Sequence, residues 1–314
     1  VDGDTRDLLA GSIRSLLRSR PSELVAGLAE LGWDEVVSDD EAAAVELLFT
    51  EQGEAGVASA ALDGVVLAAG GGDLATSPHS WQVVHPFASA VNSIVGESIR
   101  IDGVVLSEPS ATAEYVIAMH DSVYAVTAAK VTPAIPVGGF DPDSGLRRVE
   151  FDVELSAAPP ITCEWELATA AARRALASEL IGNGQAMLNL AVEHVGQRHQ
   201  FGRPIGANQT PRHRLADAYA QLSAARELVR TAWDSDRPWD ATVAKAYAGY
   251  AGDITSRACL QVCGAMGLTS EHALGGYVKR FRTLDALYGR SQQTVRTLGE
   301  RLLASRVIPR GVGV

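Results

Sequence analysis

Three cysteines, Cys163, Cys259 and Cys263, are too few to staple a chain of 314 residues. The sequence therefore does not read as a disulfide scaffold, and a reducing, cytoplasmic setting is the simpler expectation. Basic residues are also short: 27 Lys and Arg stand against 38 Asp and Glu, a formal net charge of −11. A nucleic-acid binder would need a basic face for phosphates, so none is expected as a partner. A small local basic cluster serving one anionic ligand remains open. No charge-free apolar run reaches the roughly 18 residues of a spanning helix, so no membrane partner is expected either. The start, Val1-Asp2-Gly3-Asp4, is acidic and carries no signal-peptide pattern.

Catalytic and metal signatures are missing as well. Gly70-Gly71-Gly72 is not followed by the Lys-Ser/Thr of a phosphate loop and reads as a linker. Cys259 and Cys263 lie one helical turn apart with no second ligand pair beside them. They read as small buried apolar residues, and no metal site is expected. His194 and His199 flank a helix end, where local hydrogen bonds are their expected role. Repeats and low-complexity tracts are absent.

What is present is an ordinary globular balance, 46% apolar and 21% charged, in a length that suggests about two domains as a prior. Composition divides it in three. Residues 1–72 are rich in Ala, Leu and Glu and read as helices. Leu24, Val25, Leu28 and Leu31 make a helical stripe that stops at Gly32; acids at Asp39, Asp40 and Glu41 open a second helix over Ala42–Phe49; a third is expected over Val57–Ala69. Residues 73–162 turn to Val, Ile, Thr, Gly and Pro, with runs at Ser98–Leu106, Tyr115–Met119, Val123–Ala129 and Arg147–Leu155 separated by turn residues. They read as antiparallel strands of a small β domain or barrel. Residues 163–314 return to helix, with one long pattern over Glu164–Arg198 and further helices at about 211–234, 238–267, 271–283 and 285–306. The fold class expected is α+β, mainly α, with a helical N-terminal domain, a middle β domain and a C-terminal antiparallel four-helix bundle.

Two segments carry a chemical signal. In the first, Arg198, Phe201, Gly202, Arg203, Pro204, Asn208 and Gln209 follow a long helix that Gly and Pro cannot continue. In the second, Gln261-Val262-Cys263-Gly264-Ala265 ends another long helix, with Gly264 and Gly267 permitting close backbone approach. An arginine grips phosphate oxygens well, and exposed amides can supplement it.

Together these segments resemble the C-terminal half of the acyl-CoA dehydrogenase family. Glu179-Leu-Ile-Gly, Leu215-Ala-Asp217, Ala224-Ala-Arg226 and Ala244-Lys245 fall at matching intervals, and Leu28–Trp33 and Glu51-Gln-Gly53 match more loosely upstream. The resemblance covers about residues 165–306 well. It implies the three-part fold reached above and an FAD shared between two chains. One chain's β domain would hold the flavin ring, and the neighbour's bundle the pyrophosphate and adenosine. By similarity Arg198 would grip the pyrophosphate with Phe201, Asn208 and Gln209 nearby. Gln261, Val262, Cys263, Gly264 and Ala265 would surround the adenine-ribose end.

The family reaction needs a carboxylate to take the proton α to the thioester, while flavin takes the β hydride. Where relatives place Glu after a Tyr, this chain has Gly289 after Tyr288. Where others place it on the helix before the Gln-Gly loop, eleven residues back from Gln261, it has Tyr250. Asp253 is the one nearby carboxylate substitute. The family's Thr-Glu-Pro…Gly-Ser-Asp ring-binding stretch is not found between residues 70 and 97, so the early β domain reads as shortened. The expectation is a non-catalytic subunit of a hetero-oligomeric, actinobacterial-type α2β2 acyl-CoA dehydrogenase. Its partner would be a paralogous catalytic chain, its substrate a bulky acyl-CoA such as a steroid-derived one, and its electron acceptor an electron-transfer flavoprotein. Two alternatives stand beside it: a self-sufficient homo-oligomer using Asp253 as base, and a cofactor-free structural paralogue.

Overall fold

The computed structural model describes residues 3–76, 81–88, 92–108, 114–119, 122–127, 134–139, 141–269 and 271–309. Five helices come first: α1 Gly3–Ser19, α2 Leu24–Glu30, α3 Trp33–Asp39, α4 Glu41–Ala55 and α5 Ala61–Gly70. Local chemistry sets their ends. The Asp40 carboxylate accepts the Ala43 N–H at 3.0 Å to open α4, a side-chain cap for an otherwise orphaned donor. α5 begins later than the apolar pattern suggests because the Ser59 hydroxyl accepts the Ala61 N–H, leaving Val57–Ala60 outside the helix.

The glycine run after α5 is not a plain linker. It enters a 3-10 turn in which Asp73 N–H donates to the Thr162 carbonyl at 2.9 Å, and Thr162 N–H donates to the Asp73 carboxylate at 2.7 Å. That turn joins the start of the β domain to its exit.

The β domain has two four-stranded sheets. One orders β1 Trp81–Val83, β4 Glu114–Met119, β5 Ser122–Thr127 and β8 Pro160–Ile161. The other orders β2 Ser93–Val95, β3 Ser98–Val105, β7 Arg147–Glu154 and β6 Ile135–Pro136. β7 buries Val149, Phe151 and Val153 and exposes Arg148, Glu150 and Asp152, the period-two signature of a half-buried strand. Its inward residues meet Ile99 and Ile101 of β3 and Tyr115, Ile117 and Val126 of the other sheet in a second core. One expectation is corrected: β1 pairs with β4 in parallel, Trp81 opposite Glu114. The chain reaches β4 only after passing through β2 and β3 of the other sheet, a crossover that permits parallel pairing where a hairpin would not.

The C-terminal helices are α6 Trp165–Gln197, α7 Gln209–Ser235, α8 Pro238–Cys263, α9 Leu274–Ala286 and α10 Ser291–Ser305. α6 is the axle. Helices α4, α5, α7, α8 and α9 all pack on it, which explains a 33-residue helix rich in Ala and buried on several sides. Gly53 of α4 and Gly182 of α6 make the closest crossing. A Cβ on Gly53 would stand 2.1 Å from the Glu179 carbonyl oxygen, and one on Gly182 2.1 Å from that of Thr50. The expected helix over 285–306 is broken: α9 ends at Ala286, and residues 287–290 turn before α10 begins. The β domain holds that turn, as Ala88 N–H donates to the Ala286 carbonyl at 2.9 Å and Tyr288 N–H to the Pro86 carbonyl at 3.2 Å. Between α6 and α7 lies a small hairpin, β9 His199–Gln200 with β10 Arg203–Pro204. No helix of the described residues is long and apolar enough to cross a membrane.

Candidate functional site

Two regions carry the residues singled out in the sequence. The first is the end of the bundle where α6 and α8 both stop. Arg198 caps α6, with its N–H bonded to the His194 carbonyl. Its guanidinium is exposed and has no ion pair among the described residues. At the tip of the β9–β10 hairpin Phe201 takes a left-handed φ of +54° and is 99% exposed, a strained placement for a large side chain. Asn208 precedes α7 and is tied locally: its carbonyl oxygen accepts from Arg203 at 2.6 Å and its amide donates to the Ile205 carbonyl. Gln209 is the first residue of α7.

The second segment lies beside the first. α8 ends in Cys263, and Gly264 follows with φ +59° and nothing within 4 Å of where its Cβ would stand. Gln261, Gly264 and Ala265 are exposed, Val262 is half-buried and Cys263 is buried. The join is made by His194 and His272, whose rings meet edge-on with centroids 6.0 Å apart, and by Cys263, whose thiol lies within 4.8 Å of a nitrogen of each. Burial, the neighbouring His272 and Arg198 all push the His194 pKa down. His199 does make the local bond expected of it, 2.9 Å between Nδ1 and the Gln197 carbonyl.

The second region is a cleft of about 750 Å³ between the β domain and α6, α8 and α10. Tyr288 and Gly289 form part of its wall, with Arg173, Trp165 and Trp239. Gly289 has φ +102°, a conformation that L side chains resist. Sequence reasoning missed the network behind it. His85, fully buried, lies 3.0 Å from the Tyr288 hydroxyl through Nδ1 and 2.6 Å from the Asp63 carboxylate through Nε2. A neutral ring that donates from Nε2 and accepts at Nδ1 satisfies both partners. Burial, with Asp63 nearby, pushes the Tyr288 pKa well above its usual value, so its hydroxyl stays protonated. Lys245, also buried, donates to the carbonyls of Asp285 at 2.7 Å and Gly289 at 2.5 Å. Desolvation pushes its pKa down to about 8. The Asp285 carboxylate in turn accepts from the N–H and hydroxyl of Ser291. These residues come from all three parts of the chain, so no local pattern advertised them.

The weaker candidates lie elsewhere. Tyr250 is half-exposed on α8 and packs on Tyr247. Asp253 is held by Arg282 at 2.7 Å and Arg257 at 2.8 Å, and it is not part of the cleft wall. The carboxylates on that wall are Asp102, paired with Arg148, and the exposed Glu166. Arg173 reaches Thr242 at 2.9 Å and has no ion pair among the described residues.

Comparison with known proteins places this architecture. Residues 166–303 match the family profile "Acyl-CoA dehydrogenase, C-terminal domain". Acyl-CoA dehydrogenase IpdE2 of Mycobacterium tuberculosis is 33% identical over 183 residues, 57% of this chain and 56% of that protein. Its Mycolicibacterium smegmatis counterpart is 32% identical over 123 residues, 39% of this chain and 40% of that protein. The chain thus spans about half the length of the curated relatives it matches. Among solved structures, the ChsE4–ChsE5 complex from Mycobacterium tuberculosis aligns with TM-score 0.73 at 18% identity, covering 99% of both chains. A glutaryl-CoA dehydrogenase from Mycobacterium smegmatis in complex with FADH2 aligns with TM-score 0.67 at 15% identity, covering 98% of this chain and 97% of that one. Residues 166–303 thus match an acyl-CoA dehydrogenase C-terminal domain, and the chain as a whole shares the fold of the solved acyl-CoA dehydrogenases.

Proposed function

We propose that this chain is the non-catalytic subunit of an FAD-dependent acyl-CoA dehydrogenase. It offers the pyrophosphate- and adenosine-binding face to a paralogous partner that carries the catalytic Glu. The observation that carries this reading is the contrast at the two helix ends: Arg198 stands exposed, with no ion pair among the described residues, beside the open Gly264 loop, whereas Gly289 occupies the expected base position.

The residues present fit a pyrophosphate. Arg198 offers a forked cation, and Gly264, with open space around it, leaves the backbone accessible. Phe201, Asn208 and Gln209 would flank the phosphates; Gln261, Val262, Cys263 and Ala265 would border the adenosine. FAD, when bound, supplies the acceptor for the hydride leaving the substrate's β carbon. This chain's own contribution is to orient the cofactor and exclude water from one side of it. The α proton would go to the partner's Glu, because glycine has no group to take it. Asp253 is ill placed as a substitute, being engaged by two arginines.

The substrate proposed is a bulky acyl-CoA thioester, steroid-derived by analogy with the solved Tcur3481–Tcur3483 steroid ACAD, which aligns with this chain at TM-score 0.74 and 18% identity. An electron-transfer flavoprotein would reoxidise the flavin, and the cytoplasm would house the complex, a compartment that suits three free cysteines. The test is to purify the chain alone and with candidate paralogous partners. One flavin per two chains and activity only in the pair are expected. Full flavin occupancy with turnover by this chain alone would overturn the reading in favour of a homo-oligomer. A purified pair without any flavin would favour the structural paralogue.

A further inference from the structure

We propose that His194, Cys263 and His272 form a binding site for a thiophilic divalent cation, zinc foremost, that ties the end of α6 to the end of α8. One ligand atom from each side chain lies within 4.8 Å of the other two. They come from three separate elements: the last turn of α6, the last residue of α8, and the loop that enters α9. Two imidazoles and a thiol suit borderline ions, whereas Mg²⁺ and Ca²⁺ want oxygen.

Ligands about 2.0–2.3 Å from a tetrahedral zinc stand roughly 3.3–3.7 Å apart. Closing from the present spacing asks for a contraction of about 1 Å between ligand atoms. Burial is graded in the way an open site needs. Cys263 is buried while both imidazoles are half-exposed. An ion would be walled in on the sulfur side and would keep a fourth position for water on the other.

Three features oppose the ion: a hydrogen bond held by His272, the charge of Arg198, and burial of Cys263, which pushes its thiol pKa up. The Leu274 N–H donates to Nδ1 of His272 at 3.1 Å. Engaging His272 gives up that single hydrogen bond at the start of α9, a smaller quantity than a zinc–imidazole bond. Arg198 stands one turn beyond His194 and adds positive charge. The site therefore depends on the Cys263 thiolate: binding releases the thiol proton to solvent, and the sulfur–metal bond takes its place.

Cobalt(II) titration of the full chain tests this, with zinc affinity measured by competition against a chromogenic chelator. One cobalt per chain is expected, with the intense visible bands of tetrahedral cobalt and a sulfur-to-cobalt charge-transfer band. Cys263→Ser should abolish the charge-transfer band. His194→Gln and His272→Gln should each weaken zinc by at least about 10-fold, the lower end of what even outer-shell partners command. Cys163→Ser and Cys259→Ser should leave both readouts unchanged. Metal-free melting curves of every variant establish that the fold is intact. A wild-type protein without the charge-transfer band, a band that survives Cys263→Ser, or histidine variants that bind zinc as tightly as wild type would each overturn the proposal.

Discussion

The end of the bundle and the cleft differ in which way their polar groups face. Where α6 and α8 stop, the groups look outward: Arg198 has no ion pair among the described residues, Phe201 is exposed in a left-handed conformation, and Gly264 opens onto empty space. At the cleft they look inward. His85, Tyr288, Asp63, Lys245 and Asp285 satisfy one another across three parts of the chain. A buried network that is fully satisfied holds its shape by itself, so the loop at Gly289 is fixed from within the chain. An exposed, strained hairpin tip has no such internal support, and strain persists where something is gained by it.

The largest expected effect is on the inward side. Lys245→Met leaves the carbonyls of Asp285 and Gly289 without their donor and the Asp285 carboxylate without its cation, and should cost about 3 kcal/mol in chemical denaturation. The wild type carries a pH signature too. With the folded Lys245 at about 8 and the ordinary value at 10.5, the unfolded chain holds a proton in that window that the folded chain does not. Stability attributable to Lys245 should therefore rise with pH between about 8 and 10.5, and the gap between wild type and Lys245→Met should widen there. A gap that narrows would show that the amine keeps its charge when buried.

Next in size is the outward side. Arg198→Ala should weaken flavin retention in the complex by about 1.5–3 kcal/mol, the scale of a charged hydrogen bond, with little change in melting. Flavin absorbance after gel filtration reads this directly, and unchanged retention would reduce Arg198 to a helix-end cation. Tyr288→Phe strips His85 of one partner and should cost about 1–2 kcal/mol of stability. Gly289→Ala should cost roughly 1–2 kcal/mol, since it forces an L side chain to positive φ with its Cβ 2.9 Å from the Thr294 hydroxyl. Gly289→Glu should carry the same cost and yield no turnover from the chain alone in a dehydrogenation assay. The smallest effect is Phe201→Ala, within about 0.5 kcal/mol of wild type in stability. Weaker association with the partner in sedimentation would mark that side chain as an interface residue.

Legibility in the sequence followed the range of the physics. The Arg198 turn and the Gln261 loop could be read because helix ends are local events, signalled by Gly, Pro and the residues around them. The break at residues 287–290 could not, because its cause is distant: strand residues Pro86 and Ala88 hold the turn by backbone hydrogen bonds. Histidines dispersed along the chain gave no hint that His85 would join Tyr288, or that His194 would meet His272. Gly53 and Gly182 stand in motifs legible in the sequence, and their purpose is a crossing in which backbone touches backbone.

By itself, then, the sequence determined the three-part order of helix, strand and bundle, the ends of α6 and α7 to within two residues, and the absence of a carboxylate at position 289. Periodicity, capping residues and residue identity are properties of short windows. Tertiary structure alone decided that β1 runs parallel to β4, that Asp63, His85 and Tyr288 share one buried network, and that two helix ends bring His194, Cys263 and His272 together. Those outcomes depend on which surfaces the packing of α6 against its neighbours places face to face, and no short window of residues contains that information.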